Sequence, residues 1–460
     1  LDRCHQARVK NALEPEWEAR FEPRSYGFRP GRGCHDAIEA LYQTLKGSTA
    51  RRVWILDADL AAAFDKIDHD HLLAMLGSFP ARDMIRDWLK AGVFEAGKGF
   101  APTVEGTPQG GVISPCLLNV ALHGMEEAAG VRYAATSAQD VRAARDSPIL
   151  VRYADDLVAC CFSERQARQV KAQLAEWLEP RGLAFNEDKT RVVHLEAGFD
   201  FLGYTIRRYR TQRGGKLLTK PSKAAVGRFT RRLSHDLRRQ RGSNAAALIA
   251  AVNPLLRGWA AYYRPGVSKE IFTSVDDHVW RLAYKWACFT HPDKPKKWIV
   301  NRYFGKHNKF RDDRWVFGDR DSGAYLWKMA WLEIQRHQMV KGAASPDDPA
   351  LSDYWRQRRR RTTLPLDGYT RRLLAKQDWQ CPICRDLLLY ADHPPHDPDE
   401  WEQWMRVVRR AILAEVISHG PRDQPNDHVR LVHVSCKRKV SRTERRNPGL
   451  LQPDTPERLA

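Results

Sequence analysis

At 460 residues the chain exceeds what one ordinary hydrophobic core can hold, which implies two to four domains. A hydrophobic fraction of 43% with 10% aromatics excludes a disordered chain, and no apolar run approaches the roughly 20 residues of a membrane span. The formal net charge of +20 favours a polyanionic partner, nucleic acid before lipid, because the basic blocks have no strongly apolar opposite face.

The N-terminal stretch LDRCHQARVK lacks the apolar core of a signal peptide, and it starts on Leu1 rather than Met. Nine cysteines, an odd number in so long a chain, argue against a secreted disulfide framework and for a reducing, cytoplasmic setting. Residues 25–41, SYGFRPGRGCHDAIEAL, carry Arg29 and Arg32 within FRPGRG, which reads plainly as a solvated turn. Val53–Leu56 reads as a short strand closed by Asp57-Ala58-Asp59, and alternation places Asp57 and Asp59 on one face. AAAFDKIDHDHLL then turns to helical spacing, and TPQGG forms a loop in which Gly110-Gly111 lets the backbone approach a ligand.

The run from Ile149 to Phe162 reads as a buried strand or hairpin, yet it contains Asp155 and Asp156 side by side. Burying two adjacent carboxylates is costly unless cations compensate. Three carboxylates on two strand ends, Asp59, Asp155 and Asp156, suit two Mg²⁺ ions about 4 Å apart and in-line phosphoryl transfer. A lone Asp-Asp is ordinarily a turn; the flanking apolar runs and the Asp-ended strand upstream favour the metal site. Cys160 and Cys161 read as small core residues.

Between Arg207 and Arg241 thirteen Lys/Arg face one acid, Asp236. Val226, Phe229 and Leu233 mark the apolar side of a helix there, with cations on its other faces. NPLLRGWAAYYR (253–264) begins a segment in which Trp259, Tyr262, Tyr263, Trp280 and Trp286 alternate with cations, at least half of them expected in a helical core. A second basic block, WRQRRRRTT, follows at 355–363. CPIC (381–384) and HVSC (433–436) offer Cys381, Cys384, His433 and Cys436, four N/S ligands for a structural Zn²⁺, with free core cysteines as the alternative. The tail NPGLLQPDTPERLA is Pro-rich and expected to be disordered.

Six blocks in this order resemble the reverse transcriptases encoded by mobile group II introns: residues 25–41, 55–69, 106–123, 151–157, 182–194 and 198–206. NPLLRGWAAYYR resembles the maturase-specific segment of the same family. The resemblance implies an α+β fold: a palm with an antiparallel sheet, partial fingers, an α-helical thumb and a small zinc module. The boundaries are fingers and palm over 1–205, thumb and maturase segment over 206–345, a basic linker over 346–365, the zinc module over 366–446 and the tail over 447–460. In the family, residues like LDRC follow a basic segment that closes over the nucleotide, so the fingers are expected to be N-terminally truncated.

The resemblance also implies site roles. Asp59 and Asp155 would bind metal directly with Asp156 as partner acid, and the Leu60 carbonyl would complete one Mg²⁺ shell. Phe64 would exclude a 2′-hydroxyl and select dNTP, Gln109 and Gly110 would meet the nucleotide, and Lys189 would face the leaving phosphate. Phe201, Leu202 and Gly203 would grip the primer end, and Arg29 and Arg32 would lie near template or nucleotide. A plain core aromatic, an ordinary loop, a surface lysine and a solvated turn are the plainer readings of these residues. The implied activity is RNA-directed DNA synthesis, with intron RNA, an RNA template with a DNA primer, target DNA and dNTPs as partners, and no membrane. A non-catalytic splicing cofactor is the alternative. A third reading is an HNH endonuclease, whose C-terminal pattern the zinc motif resembles; there a His follows the last Cys, whereas this chain has Lys437, with His419 and His428 as stray candidates.

Overall fold

The computed structural model describes residues 2–47, 50–95, 99–101, 103–107, 110–135, 141–212, 214–308, 311–361, 368–385, 388–389, 395, 397–416 and 429–437. Its centre is an antiparallel sheet of β1 (Trp54–Asp59), β2 (Ile149–Tyr153), β3 (Asp156–Cys161) and β4 (Arg191–His194), in the order β2-β3-β1-β4. The β2–β3 run is almost continuously apolar because both faces of the sheet are covered. Ile149, Val151, Val158 and Cys160 enter one core, while Leu150, Leu157, Ala159 and Cys161 enter another. The expected hairpin and the core role of Cys160 and Cys161 are both present.

The first of these cores is shared with the thumb. A second sheet of β5 (Phe199–Phe201), β6 (Tyr204–Thr211) and β7 (Gly214–Pro221) leads into α5 (Lys223–Arg239), α6 (Ala245–Tyr263) and α7 (Lys269–Thr290). Ser222 caps α5, its Oγ accepting from the Ala225 N–H at 3.2 Å. Phe229, Leu233 and Leu237 bury one side of α5 and leave the cations outside. Phe229 stacks on Trp259 with centroids 4.7 Å apart, and Tyr262, Tyr263 and Trp286 are also buried. Most of the interleaved aromatics therefore serve the core.

The second core holds α1 (Asp2–Glu18) and α4 (Glu164–Leu178) against the sheet, while α2 (Cys34–Leu45) joins the first and α3 (Ser114–Ala121) the second. Here the two fingers arginines depart from expectation. Arg29 and Arg32 are buried rather than held in a solvated turn. Arg29 makes two parallel bonds to Glu18, Nε–Oε1 at 2.8 Å and Nη2–Oε2 at 2.9 Å, and its Nη1 donates to the Glu22 and Ser25 carbonyls. Arg32 donates to the carbonyls of Pro23, Gly342 and Ala344. A buried guanidinium needs its donors filled; Arg29 spends its donors internally, while Arg32 Nε is left without a partner.

Arg32 thereby ties the fingers to the end of the segment expected as thumb and maturase region, just ahead of the expected linker. Asp36 completes the tie, accepting from the Gly33 N–H, His337 Nε2 and the Val340 N–H, all within 2.9 Å. The segment continues into α8 (Ser352–Arg361), whose Trp355 is buried. Further on, α9 (Gly368–Lys376), α10 (Pro398–Ala411) and β9 (Val429–His433), which pairs with β8 (Ile412–Val416), contribute Leu374, Val408 and Leu431 to a small third core. The expected tail lies outside the described residues. No helix among the described residues is long and apolar enough to cross a membrane.

Glu18→Ala leaves Arg29 buried without its carboxylate. The expected loss is about 3–5 kcal/mol of folding stability, read from urea denaturation.

Candidate active site

The β2–β3 hairpin turns through Ala154 and Asp155, with Ala154 in the left-handed region at φ 56°. A non-glycine residue holds that conformation only when its surroundings over-determine it. Three groups do so here. Gly27 lies against the turn so closely that a Cβ on it would sit 2.3 Å from the Ala154 nitrogen. Arg152, itself buried, donates from Nη1 to Asn119 Oδ1 at 2.8 Å and to the Ala154 carbonyl at 3.2 Å. Asn119 on α3 in turn donates to the Gly27 carbonyl at 2.9 Å.

Antiparallel register sets Asp59, the last residue of β1, directly opposite Asp156, the first of β3, and Asp57 opposite Val158. The Leu60 N–H donates to the Asp155 carbonyl at 3.3 Å, so the three expected acids converge at one end of the sheet. Asp57 and Asp59 are half-buried and the intervening Ala58 is buried, as alternation requires. Two cations reach in: Lys189 Nζ lies 2.7 Å from Asp59 Oδ2, and Arg191 Nη2 lies 2.8 Å from Asp57 Oδ2. They border a cleft of about 340 Å³ lined by Asp57, Asp59, Asp156, Asp188 and Asp200.

Five acids against two cations leave a surplus of negative charge. Burial, reinforced by the charges of Asp155, Asp59 and Asp57, pushes the Asp156 carboxyl up to about 7. Burial also raises Asp155, and it raises Asp57 against the opposing pull of Arg191. Such a cluster of hard oxygen donors can hold divalent cations.

The other expected residues surround this cleft unevenly. Phe64 is half-buried, edge-on to Phe28 at 6.0 Å, and its carbonyl accepts the Thr107 N–H at 2.6 Å, which ties the TPQGG loop to it. Gly110 is exposed at φ 75°, while Gln109 lies outside the described residues. Phe201 is buried; the Tyr262 hydroxyl donates to the Leu202 carbonyl at 2.7 Å and the Tyr263 hydroxyl to that of Gly203 at 3.3 Å. Arg29 and Arg32 do not line the cleft.

Sequence reading gave no role to Gly27, Asn119 or Arg152. Two signals were present, a lone Asn in the apolar run LLNVAL and a lone Arg in the strand ILVRY. Each marks a buried polar group that must have a partner.

At the far end of the chain, the ligand atoms of Cys381, Cys384, His433 and Cys436 all lie within 4.8 Å of one another. Burial raises the Cys381 thiol, but N–H groups of Cys384, His433 and Ile383 outweigh it and bring the thiol down to about 7. This S₃N set could hold one tetrahedral metal ion. His419 and His428 lie outside the described residues.

With this geometry in hand, the likeness to known proteins can be placed. Residues 1–206 match the family described as reverse transcriptase (RNA-dependent DNA polymerase), and residues 226–304 match the group II intron, maturase-specific domain. Protein YkfC of Escherichia coli is 34% identical over 240 residues, 46% of this chain and 62% of its own length. The group II intron-encoded protein LtrA of Lactococcus lactis is 27% identical over 284 residues, 49% of this chain and 46% of its own. The chain thus spans about half to three-fifths of the length of these relatives. Among solved structures, a Candida albicans telomerase in complex with a TWJ fragment of telomeric RNA aligns at 13% identity with a TM-score of 0.33, over 65% of this chain and 53% of that one.

Gly27→Ala drives a methyl group into the Ala154 backbone. The expected result is a loss of about 1–3 kcal/mol in stability, measured as a lower denaturation midpoint.

Proposed function

We propose that this chain, similar to group II intron reverse transcriptase/maturases over residues 1–206 and 226–304, extends a DNA primer on an RNA template and binds intron RNA through its maturase-specific segment. The observation that carries the polymerase reading is the surplus of negative charge where Asp59 faces Asp156 beside Asp155. Two Mg²⁺ ions fit it: Asp59, Asp155, Asp156 and the Leu60 carbonyl would hold them, an all-oxygen donor set. Bound there, Mg²⁺ lowers the pKa of the primer hydroxyl and neutralises the leaving pyrophosphate.

The chain's own groups supply binding and orientation. Lys189 brings a positive charge to the leaving phosphate from its place beside Asp59. The Phe64 ring excludes a 2′-hydroxyl and so favours dNTP. Gln109 and the open backbone at Gly110 meet the nucleotide. Phe201, Leu202 and Gly203 hold the primer end, their backbone fixed by the two tyrosine hydroxyls. The cationic side of α5 and the surface of the maturase segment meet phosphates and 2′-hydroxyls of template and intron RNA.

Cys381, Cys384, His433 and Cys436 would hold a structural Zn²⁺, and the module around them would contact target DNA. Lys437 stands where the HNH pattern has His, which speaks against DNA cleavage.

Primer extension on an RNA template with dNTPs and Mg²⁺ tests the polymerase reading. Asp155→Ala is expected to lower extension by about three orders of magnitude or more while leaving RNA affinity within about twofold. Extension by that variant at the wild-type rate refutes the site, and tight RNA binding without extension by the wild-type chain favours the splicing cofactor.

Asp156 adds a pH dependence with a definite sign. Its carboxyl titrates near 7 in the folded, metal-free chain, far above the ordinary carboxylate range. The metal-free fold therefore binds the proton more tightly than the unfolded chain and loses stability as pH rises from about 4 to about 7. Metal must displace that proton, so Mg²⁺ affinity measured by calorimetry is expected to rise with pH up to about 7 and level off above it. Asp156→Asn is expected to flatten the curve.

A further inference from the structure

Helix α10 comes from the loop between the two halves of the cysteine cluster, yet it rests on the thumb. Its contact with α6 is the most extensive helix–helix contact among the described residues. The crossing point is Gly258, where a Cβ would lie 2.5 Å from the Glu402 nitrogen. Trp401 packs on the core shared by thumb and palm, whereas Trp404 and Val408 pack into the core of the cysteine module. Asp397 caps the helix, its Oδ1 accepting from the Glu400 N–H at 2.8 Å.

The first turn of α10 is acidic, and it meets the basic helix α5. Arg232 donates from Nη2 to Glu402 Oε2 at 2.6 Å and from Nη1 to Asp399. The same turn lies beside the palm. Burial raises the Tyr153 hydroxyl, and the charges of Glu400 and Asp397 add to the effect together with that of Asp156. Glu400 likewise bears on Cys34 at the start of α2. Trp401, in the same turn, packs against the core that Tyr153 also meets. A carboxylate and a phosphate present the same acceptor to a guanidinium.

We propose that Arg232 and the adjoining face of α5 form a phosphate-binding surface for the primer–template duplex, and that the Asp399–Glu402 turn of α10 occupies this surface in the nucleic-acid-free protein. The inference rests on the polymerase reading above. Binding a duplex then requires the acidic turn to leave. The Arg232–Asp399 pair is partly exposed, and such pairs are weak and screened by salt, so a polyphosphate strand can displace it. The Arg232–Glu402 pair, whose carboxylate is buried, is the stronger tie that duplex phosphates must replace. Because Trp404 and Val408, further along the same helix, pack into the cysteine module, displacement of the turn also moves that module relative to the thumb.

The test uses the full chain, an RNA–DNA primer–template duplex and fluorescence anisotropy. The variant Asp399→Asn/Glu400→Gln removes two exposed charges but keeps the Asp397 cap and the Glu402 contacts. It is expected to bind the duplex at least about fivefold more tightly than wild type, and adding Arg232→Gln is expected to erase that gain. Amide exchange across 401–408 of the wild-type chain is expected to accelerate when duplex is added.

Unchanged or weaker duplex binding by the double variant overturns the proposal, as does a gain that survives Arg232→Gln, or slower exchange across 401–408 with duplex. In each of these cases wild-type binding leaves the polymerase reading intact. Failure of wild type and variants alike to bind duplex overturns both.

Discussion

Repulsion among carboxylates held at the ends of β1 and β3 is the constraint to which the palm is built. Asp59 and Asp156 face each other across antiparallel strands, with Asp155 on the turn and Asp57 two residues back. Nothing in the register can relax this, because both faces of the sheet are buried and a one-residue slip would exchange the two cores. The turn cannot relax either, since Gly27, Asn119 and Arg152 brace Ala154 in a left-handed conformation. Lys189 and Arg191 offset part of the charge, and the remainder is left for cations that the chain does not itself supply.

Buried polar groups hold the rest of the molecule around that end of the sheet. The Arg29–Glu18 pair fixes α1 to the fingers turn, and Arg32 and Asp36 fix the same region to residues 337–344, some 300 positions later. Such groups are costly to bury and more costly to leave unpaired, so they specify one arrangement of segments that apolar contacts alone would leave free to slide. The thumb uses a related device: Tyr262 and Tyr263 bury their rings in the common core and spend their hydroxyls on the backbone of Leu202 and Gly203. Core packing and the geometry of the expected primer grip are therefore one structural problem.

Helix α10 extends the same logic to the C-terminal module. Its apolar residues reach both cores, Trp401 the first and Trp404 and Val408 the third, and its acidic first turn meets a thumb arginine. Gly258 permits the close crossing, which gives a physical reason for the glycine within LLRGWAAYY that does not depend on nucleic acid.

Local pattern in the sequence was enough to find the strand closed by Asp59, the hairpin carrying Asp155 and Asp156, the amphipathic helix through Phe229 and Leu233, and the four sulfur and nitrogen ligands. Each of these is encoded by side-chain period or by the spacing of like chemistry, and both are short-range properties. The fate of Arg29 and Arg32 was not legible, because a charged residue in a Gly-Pro turn reads as solvated until its partners are known. Those partners are Glu18 and the carbonyls of Gly342 and Ala344, which no local pattern connects to the turn. The brace of Gly27, Asn119 and Arg152 and the docking of α10 on α6 were hidden for the same reason. What the sequence determined by itself was which residues could do chemistry. Tertiary structure alone decided which charges are balanced and which are left over, because electrostatic balance depends on distances in space that the order of residues does not contain.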